Sequence, residues 1–198
     1  MVPETLRFNL TGALRKGVTA RDVILTIIGK IGANGANYKA MEFAGPGLAG
    51  LSVSDRFVLC NLAVEAGAKT GLMPVDEVTL EYLEAHGREP VACYESDPDA
   101  EFAEVYDIDL SEILPVVAKP HFVDNLAPVS EVAGTKIHEA FLGSCSNGRL
   151  EDLRLGAEVI KGKKVAEGVR FLVVPASRDI YNQAAREGIL DTFMEAGA

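Results

Sequence analysis

Apolar and polar residues alternate from Glu4 to Gly12, a period of two that predicts a strand. Gly17 then interrupts the chain, and Thr19 is placed to cap a helix from Ala20 to about Ile31, with Val23, Ile24, Ile27 and Ile28 on its apolar face. A turn-rich connection, Gly32 to Asn37, leads to a short strand from Lys39 to Phe43 that ends at Gly45-Pro46-Gly47. Strand, helix and strand in this order predict an α/β layer. A second helix follows, capped by Ser54 or Asp55, running to about Ala66 and closed by Gly67. It is apolar nearly all round (Phe57, Val58, Leu59, Leu62, Ala63, Val64), which predicts deep burial. Two polar residues, Asn61 and Glu65, break that pattern and lie four apart, on one face.

Further along, Thr70 to Met73 predicts a strand, and Pro74-Val75-Asp76 opens a helix from Glu77 to Ala85. The polar stretch from Arg88 to Asp107 reads as loop with a short helix, and Leu110 to Val117 as a strand ended by Ala118-Lys119-Pro120-His121. A domain boundary is expected there, giving an α/β domain over 1–116 and the first part of a second over 117–198. In that second part an alternating run, Ile137 to Leu142, leads into Gly143-Ser144-Cys145-Ser146-Asn147-Gly148-Arg149, and a helical pattern, Asp152 to Ile160, leads out. A strand (Val169 to Val174), a helix (about Arg178 to Glu187) and a last helical segment (Ile189 to Ala196) complete the pattern. The fold class is α/β, with mixed or parallel sheets flanked by helices.

Composition narrows the function. The 198 residues are 48% hydrophobic, with mean hydropathy +0.14, enough for a packed core. No run of 18 apolar residues spans a membrane, and no basic-then-apolar segment marks a secretory signal at Met1-Val2-Pro3-Glu4-Thr5, so a cytoplasmic protein is expected. A net charge of −10 argues against nucleic acid, whose phosphates need a basic surface, but leaves a local site for a small anion open. Cys60, Cys93 and Cys145 are odd in number, far apart and without CxxC spacing, so they form no disulfide framework.

The chemistry concentrates at Cys145. A thiol at a tight turn between strand and helix meets free backbone N–H groups and the positive end of a helix dipole, which favour the thiolate that attacks a substrate or ligates a soft metal. Against this stands the ordinary fate of a free cysteine as a small buried hydrophobe, and Ser144, Ser146 and Asn147 are equally suited to capping the helix. Asn61 and Glu65 either share a functional face or simply meet solvent. Cys60 points about 100° away from Asn61 and reads as packing, and Cys93 as core. Gly45-x-Gly47-x-x-Gly50 matches the letters of a dinucleotide fingerprint, but with proline inside it and no acidic residue at the end of a following strand. His86, His121 and His138 stand at no metal-ligand spacing.

The segment Gly143-Ser144-Cys145-Ser146-Asn147-Gly148-Arg149 closely resembles the G-S-C-[ST]-N-x-R motif of the aconitase superfamily. Leu59-Cys60-Asn61-Leu62-Ala63-Val64-Glu65-Ala66-Gly67-Ala68 is similar to that family's N-M-x-x-E-x-G-A helix, and Glu42-Phe43-x-Gly45, Asp76-Glu77 and Ser96-Asp97-Pro98-Asp99-Ala100 fall in the family's order. The resemblance implies an aconitase-type layered α/β fold and a hydro-lyase that isomerises a hydroxy di- or tricarboxylate by removing and re-adding water. It favours the branch acting on 3-isopropylmalate in leucine biosynthesis, with homoaconitase, aconitase and dimethylmalate dehydratase as alternatives; a non-catalytic α/β interaction module is the contrasting class. In such enzymes three cysteines hold a [4Fe-4S] cluster. Cys145 matches the first ligand, Glu65 the carboxylate near the reacting hydroxyl, and Asn61 its hydrogen-bonding neighbour. The C-G-P-C segment bearing the other two ligands, and the small subunit or swivelling domain, have no counterpart here. The chain therefore reads as a central fragment of the large subunit, unable by itself to hold a cubane cluster.

Overall fold

The computed structural model describes residues 2–89 and 92–198, which divide into two compact units, Met1–Val132 and Ala133–Ala198. In the first, strand β1 (Thr5–Thr11) feeds helix α1 (Ala20–Ile31), then strand β2 (Ala40–Ala44). A 3-10 turn (Pro46–Gly50), helix α2 (Val53–Leu62) and a second 3-10 turn (Ala63–Ala66) precede strand β3 (Thr70–Leu72), helix α3 (Glu77–Ala85) and strand β4 (Glu104–Asp109). The four strands form one parallel sheet in the order β3-β2-β1-β4. Leu6, Phe8 and Leu10 of β1, Met41 and Phe43 of β2 and Ile108 of β4 are buried together with Ile24, Ile27 and Ile28 of α1 and Val58 and Leu59 of α2. Phe8 lies at the centre, its ring stacked 5.6 Å from Phe43 and 5.1 Å from Tyr106 in register on either side.

Both helix starts follow from capping chemistry. Thr19 N–H and Oγ1–H donate to Asp22 Oδ2 at 2.8 and 2.9 Å, opening α1 where the pattern predicts. The α2 cap is Ser52, earlier than the Ser54 or Asp55 expected. Asp55 instead closes a capping box, accepting from Ser52 N–H at 3.0 Å while its own N–H donates to Ser52 Oγ at 3.1 Å.

Strand β4 was the main departure in this unit. The acidic stretch before Asp107 reads as loop, yet Tyr106 and Ile108 alternate into the core while Val105, Asp107 and Asp109 face outward from a sheet edge, where charge is tolerated. The strand expected over Leu110 to Val117 is instead a 3-10 turn (Leu110–Glu112) and then β5 (Val116–Ala118), which pairs antiparallel with β6 (Leu126–Pro128). That hairpin lies on α1: Val116 N–H donates to Asp22 Oδ1 at 2.9 Å and Ala33 N–H to Asp124 Oδ2 at 3.0 Å. A Cβ at Gly29 would stand 2.5 Å from Leu126. These contacts carry the first unit past the boundary expected at 116/117 to Val132.

In the second unit β7 (Glu139–Gly143) pairs parallel with β8 (Arg170–Val174). Between them run the single turn α4 (Ser144–Asn147) and helix α5 (Leu150–Ile160); α6 (Arg178–Arg186) and α7 (Ile189–Ala196) follow. Leu153, Ala157, Ala184, Ile189 and Phe193 form its core, with Phe171 and Phe193 packed edge to face at 5.9 Å. No helix among the described residues is long and apolar enough to cross a membrane.

Candidate active-site residues

The helix carrying Asn61 and Glu65 is less buried than its apolar composition predicts. Val58, Leu59, Ala63 and Ala66 face the core, whereas Phe57, Asn61, Val64 and Glu65 are exposed. Asn61 stands in the last turn of α2 and Glu65 in the 3-10 turn that continues it, closed by Gly67 in the left-handed region at φ 83°. The structure thus places the two on consecutive turns of one segment, open to solvent. Cys60 is half-buried beside them, close under β3, and burial pushes its thiol up to about 11. That matches the packing role expected. Cys93 is exposed and lies outside any strand, so it is not core.

Arg56 is the residue of α2 that pattern reading passed over. Only 5% exposed, its guanidinium donates to Asp76 Oδ1 at 2.5 Å and Oδ2 at 2.7 Å. It also donates to Thr79 Oγ1 at 3.0 Å and to the carbonyls of Leu48 and Leu51 at 2.8 and 3.2 Å. Asp76 at the same time caps α3, accepting from Thr79 N–H at 3.1 Å. The hydrogen bond from Arg56 holds the Asp76 carboxyl below the usual carboxylate range. The one legible signal was a lone cation inside an apolar helical run, which needs a partner if it is buried.

The outer face of the same sheet carries a cleft of about 540 Å³, lined by Arg7, Glu42, Leu72, Met73, Tyr94 and Ser96 among others. Arg7 pairs with Glu42 at 3.2 Å and lies over the Phe102 ring at 4.9 Å, and Ser96 donates to Glu42 at 2.6 Å. Neither Asn61 nor Glu65 lines it. Gly45, which lines the cleft, and nearby Gly47 serve packing: a Cβ at either would stand 2.5 or 2.9 Å from the Leu10 backbone. A phosphate-cradling role for Gly45-x-Gly47-x-x-Gly50 finds no support in that geometry, because the segment is a 3-10 turn pressed onto β1.

Cys145 belongs to the second unit. It is exposed, in the single turn α4 directly after β7, and reached through Gly143 at φ 154° and Ser144 at φ 69°. A left-handed serine is a strained backbone state that its surroundings must hold. They do so closely. A Cβ at Gly143 would stand 2.3 Å from the Val174 carbonyl oxygen, and one at Gly148 2.6 Å from that of Ser144. Ala176 N–H donates to the Gly148 carbonyl at 2.8 Å, and Asp152 accepts from Arg149 N–H at 3.0 Å and Asn147 Nδ2 at 3.2 Å. The turn is therefore held by glycine contacts and by Asp152. The helix dipole invoked from sequence counts for less than expected, because α5 begins only at Leu150 and the effect fades within a turn.

The aconitase family (aconitate hydratase) matches residues 1–198, the whole of this sequence. The chain belongs to the aconitase family. Curated members of the family that resemble it include the probable 3-isopropylmalate dehydratase large subunit of Methanothermobacter thermautotrophicus, 53% identical over 197 residues. The 3-isopropylmalate dehydratase large subunits of Lachnoclostridium phytofermentans and Archaeoglobus fulgidus (large subunit 1) are each 48% identical. These alignments cover 100%, 99% and 100% of this chain but 47% of each relative. The chain spans about half the length of the curated relatives it matches.

The aconitase family implies an iron–sulfur cluster, which tests the donor set directly. Cys145 is an exposed thiol on a closely packed turn, a donor type that suits such a cluster. Among the described residues no group of three or more His, Cys, Asp or Glu could hold a metal ion. These residues therefore fit one corner of the cluster, not the full ligand set.

Proposed function

We propose that this chain is the central part of the large subunit of a [4Fe-4S] hydro-lyase that isomerises 3-isopropylmalate. The observation that carries the reading is the family match over residues 1–198 together with relatives named as 3-isopropylmalate dehydratase large subunits. Cys145 would be this chain's cluster ligand, and two further thiolates would come from polypeptide outside these residues. When bound, the cluster supplies Lewis-acid chemistry at the substrate hydroxyl.

The reaction removes a hydroxyl from one carbon and a proton from its neighbour, then returns water with the two positions exchanged. Glu65, an exposed carboxylate, is suited to giving a proton to the departing hydroxyl and taking one back from incoming water. Asn61, one turn earlier, is suited to hold that oxygen or the Glu65 carboxylate by hydrogen bonding. A small subunit or swivelling domain completes the substrate site on this reading, and a hydroxy dicarboxylate is its ligand. Homocitrate, citrate and dimethylmalate are the competing substrates.

The test uses the intact protein with its partner subunit and a reconstituted cluster, assayed by absorbance of the unsaturated intermediate. Glu65→Gln is expected to lower kcat by about a hundredfold or more, in the range of a lost acid–base group, and Cys145→Ser to lower it through loss of a cluster ligand. Wild-type turnover in both would end this reading, and faster turnover of citrate or homocitrate would reassign the substrate. On the same reading the 198 residues alone retain no cluster. Anaerobic treatment with iron and sulfide, followed by absorption and EPR, checks it, and one stable cluster per chain would contradict it.

A further inference from the structure

Asn61 and Glu65 are both exposed, so their aim follows from the placement of the backbone that carries them. Apolar contacts set the depth of that backbone: Val58, Leu59, Ala63 and Ala66 face the core, and α2 lies so near β3 that a Cβ at Gly71 would stand 2.6 Å from the Cys60 Cα. Apolar contacts are non-directional and fix a helix's rotation less sharply than forked hydrogen bonds do. Directional control comes from Arg56, five residues before Asn61 and about 7.5 Å along the axis at ~1.5 Å per residue. Its five hydrogen bonds tie α2 to the turn before it, through Leu48 and Leu51, and to the start of α3, through Asp76 and Thr79.

We infer that Arg56 and Asp76 are positioning residues for Asn61 and Glu65. The inference rests on the function proposed above and adds two residues that touch no substrate. The pair is buried on the Arg56 side and part-exposed on the Asp76 side, and such an ion pair contributes little net stability compared with apolar packing of the same volume, so its value here is the geometry it imposes. The two-pronged contact to both carboxylate oxygens fixes helix rotation as well as height. A misplacement of ~1 Å at a reacting group can lower turnover by about a hundredfold.

The experiment compares Arg56→Lys, Asp76→Asn, Asp76→Glu, Thr79→Val and Glu65→Gln in the intact, cluster-loaded protein with its partner subunit. Arg56→Lys keeps the charge and loses the fork, and Thr79→Val removes the hydroxyl that accepts from Arg56 and donates to Asp76 Oδ1. Expected is a fall in kcat of about tenfold or more in Arg56→Lys and Asp76→Asn, within the range misplacement allows, with KM within about twofold. Asp76→Glu should recover part of the loss, and thermal melts and cluster content should show folded, loaded protein at the assay temperature. If Arg56→Lys does not fold, Asp76→Asn and Thr79→Val decide. Wild-type kcat in every folded member, with Glu65→Gln impaired, overturns the positioning role and leaves the proposed function standing. Wild-type kcat in Glu65→Gln overturns the positioning role together with the part in the reaction proposed for Glu65.

Discussion

Asp22 and Val116, distant in sequence, are joined by one hydrogen bond: Val116 N–H donates to Asp22 Oδ1 at 2.9 Å. The other carboxylate oxygen accepts from Thr19 N–H and Oγ1–H at 2.8 and 2.9 Å. A single buried carboxylate thus caps α1 and anchors the β5–β6 hairpin, which is why the first unit extends to Val132.

Replacing Asp22 by alanine removes the cap and leaves the Val116 N–H without its acceptor. The expected destabilisation is about 2–4 kcal/mol, from the ranges for a lost cap and an unsatisfied buried amide. Urea unfolding measures it, and limited proteolysis should cut faster within 116–132. A loss under about 1 kcal/mol with unchanged cleavage would show that the hairpin is held by other contacts.

Asp76 makes stability depend on pH with a definite sign. Arg56 lowers its carboxyl in the folded state, so the stabilisation is present above the unfolded value and is lost as pH falls through the folded one. Asp76→Asn lacks that contribution at every pH. The gap between wild type and variant in urea unfolding should therefore be constant from pH 7 to 5 and shrink below about pH 4, the ordinary aspartate range. A gap that does not narrow in acid would mean the carboxylate charge contributes nothing.

The three cysteines should separate in reactivity. Cys93 and Cys145 are exposed, whereas Cys60 is half-buried and its thiol is pushed up to about 11. Only the thiolate reacts, so iodoacetamide at pH 8 should label Cys93 and Cys145 first and Cys60 at least about tenfold more slowly. Peptide mass spectrometry reads the order directly, and equal labelling of Cys60 would require α2 to open from β3.

Gly148 and Gly50 give opposite expectations for one added methyl group. At Gly148 a Cβ would stand 2.6, 2.7 and 2.8 Å from backbone atoms of Ser144, Val174 and Ala176, so Gly148→Ala should cost about 1–3 kcal/mol, as overpacking does. At Gly50 nothing lies within 4 Å, and Gly50→Ala should stay within about ±0.5 kcal/mol, as open surface changes do. Thermal melts of the two variants suffice. A silent Gly148→Ala would mean that the Cys145 turn is looser than its contacts imply.

Patterns read well wherever local chemistry and burial agreed. Thr19, Asp76 and Gly67 punctuate the chain where expected, and the α/β class follows from alternating periods of two and 3.6. They misled where environment decided. Glu104 to Asp109 is a strand because an edge position lets its charges face water, and Cys93 is exposed although its neighbours suggest core.

The sequence by itself determined which side chains are candidates for chemistry: the segments around Asn61, Glu65 and Cys145 are local, and their resemblance to the aconitase-family motifs is legible without a fold. Tertiary structure alone decided which distant segments hold one another in place. Arg56 meets Asp76 and Asp22 meets Val116 only because non-local packing brings distant segments within hydrogen-bonding distance. The Cys145 turn likewise depends on β8, whose backbone leaves no room for a Cβ at Gly143 or Gly148. Such close approaches depend on paired strands, and no local periodicity encodes them.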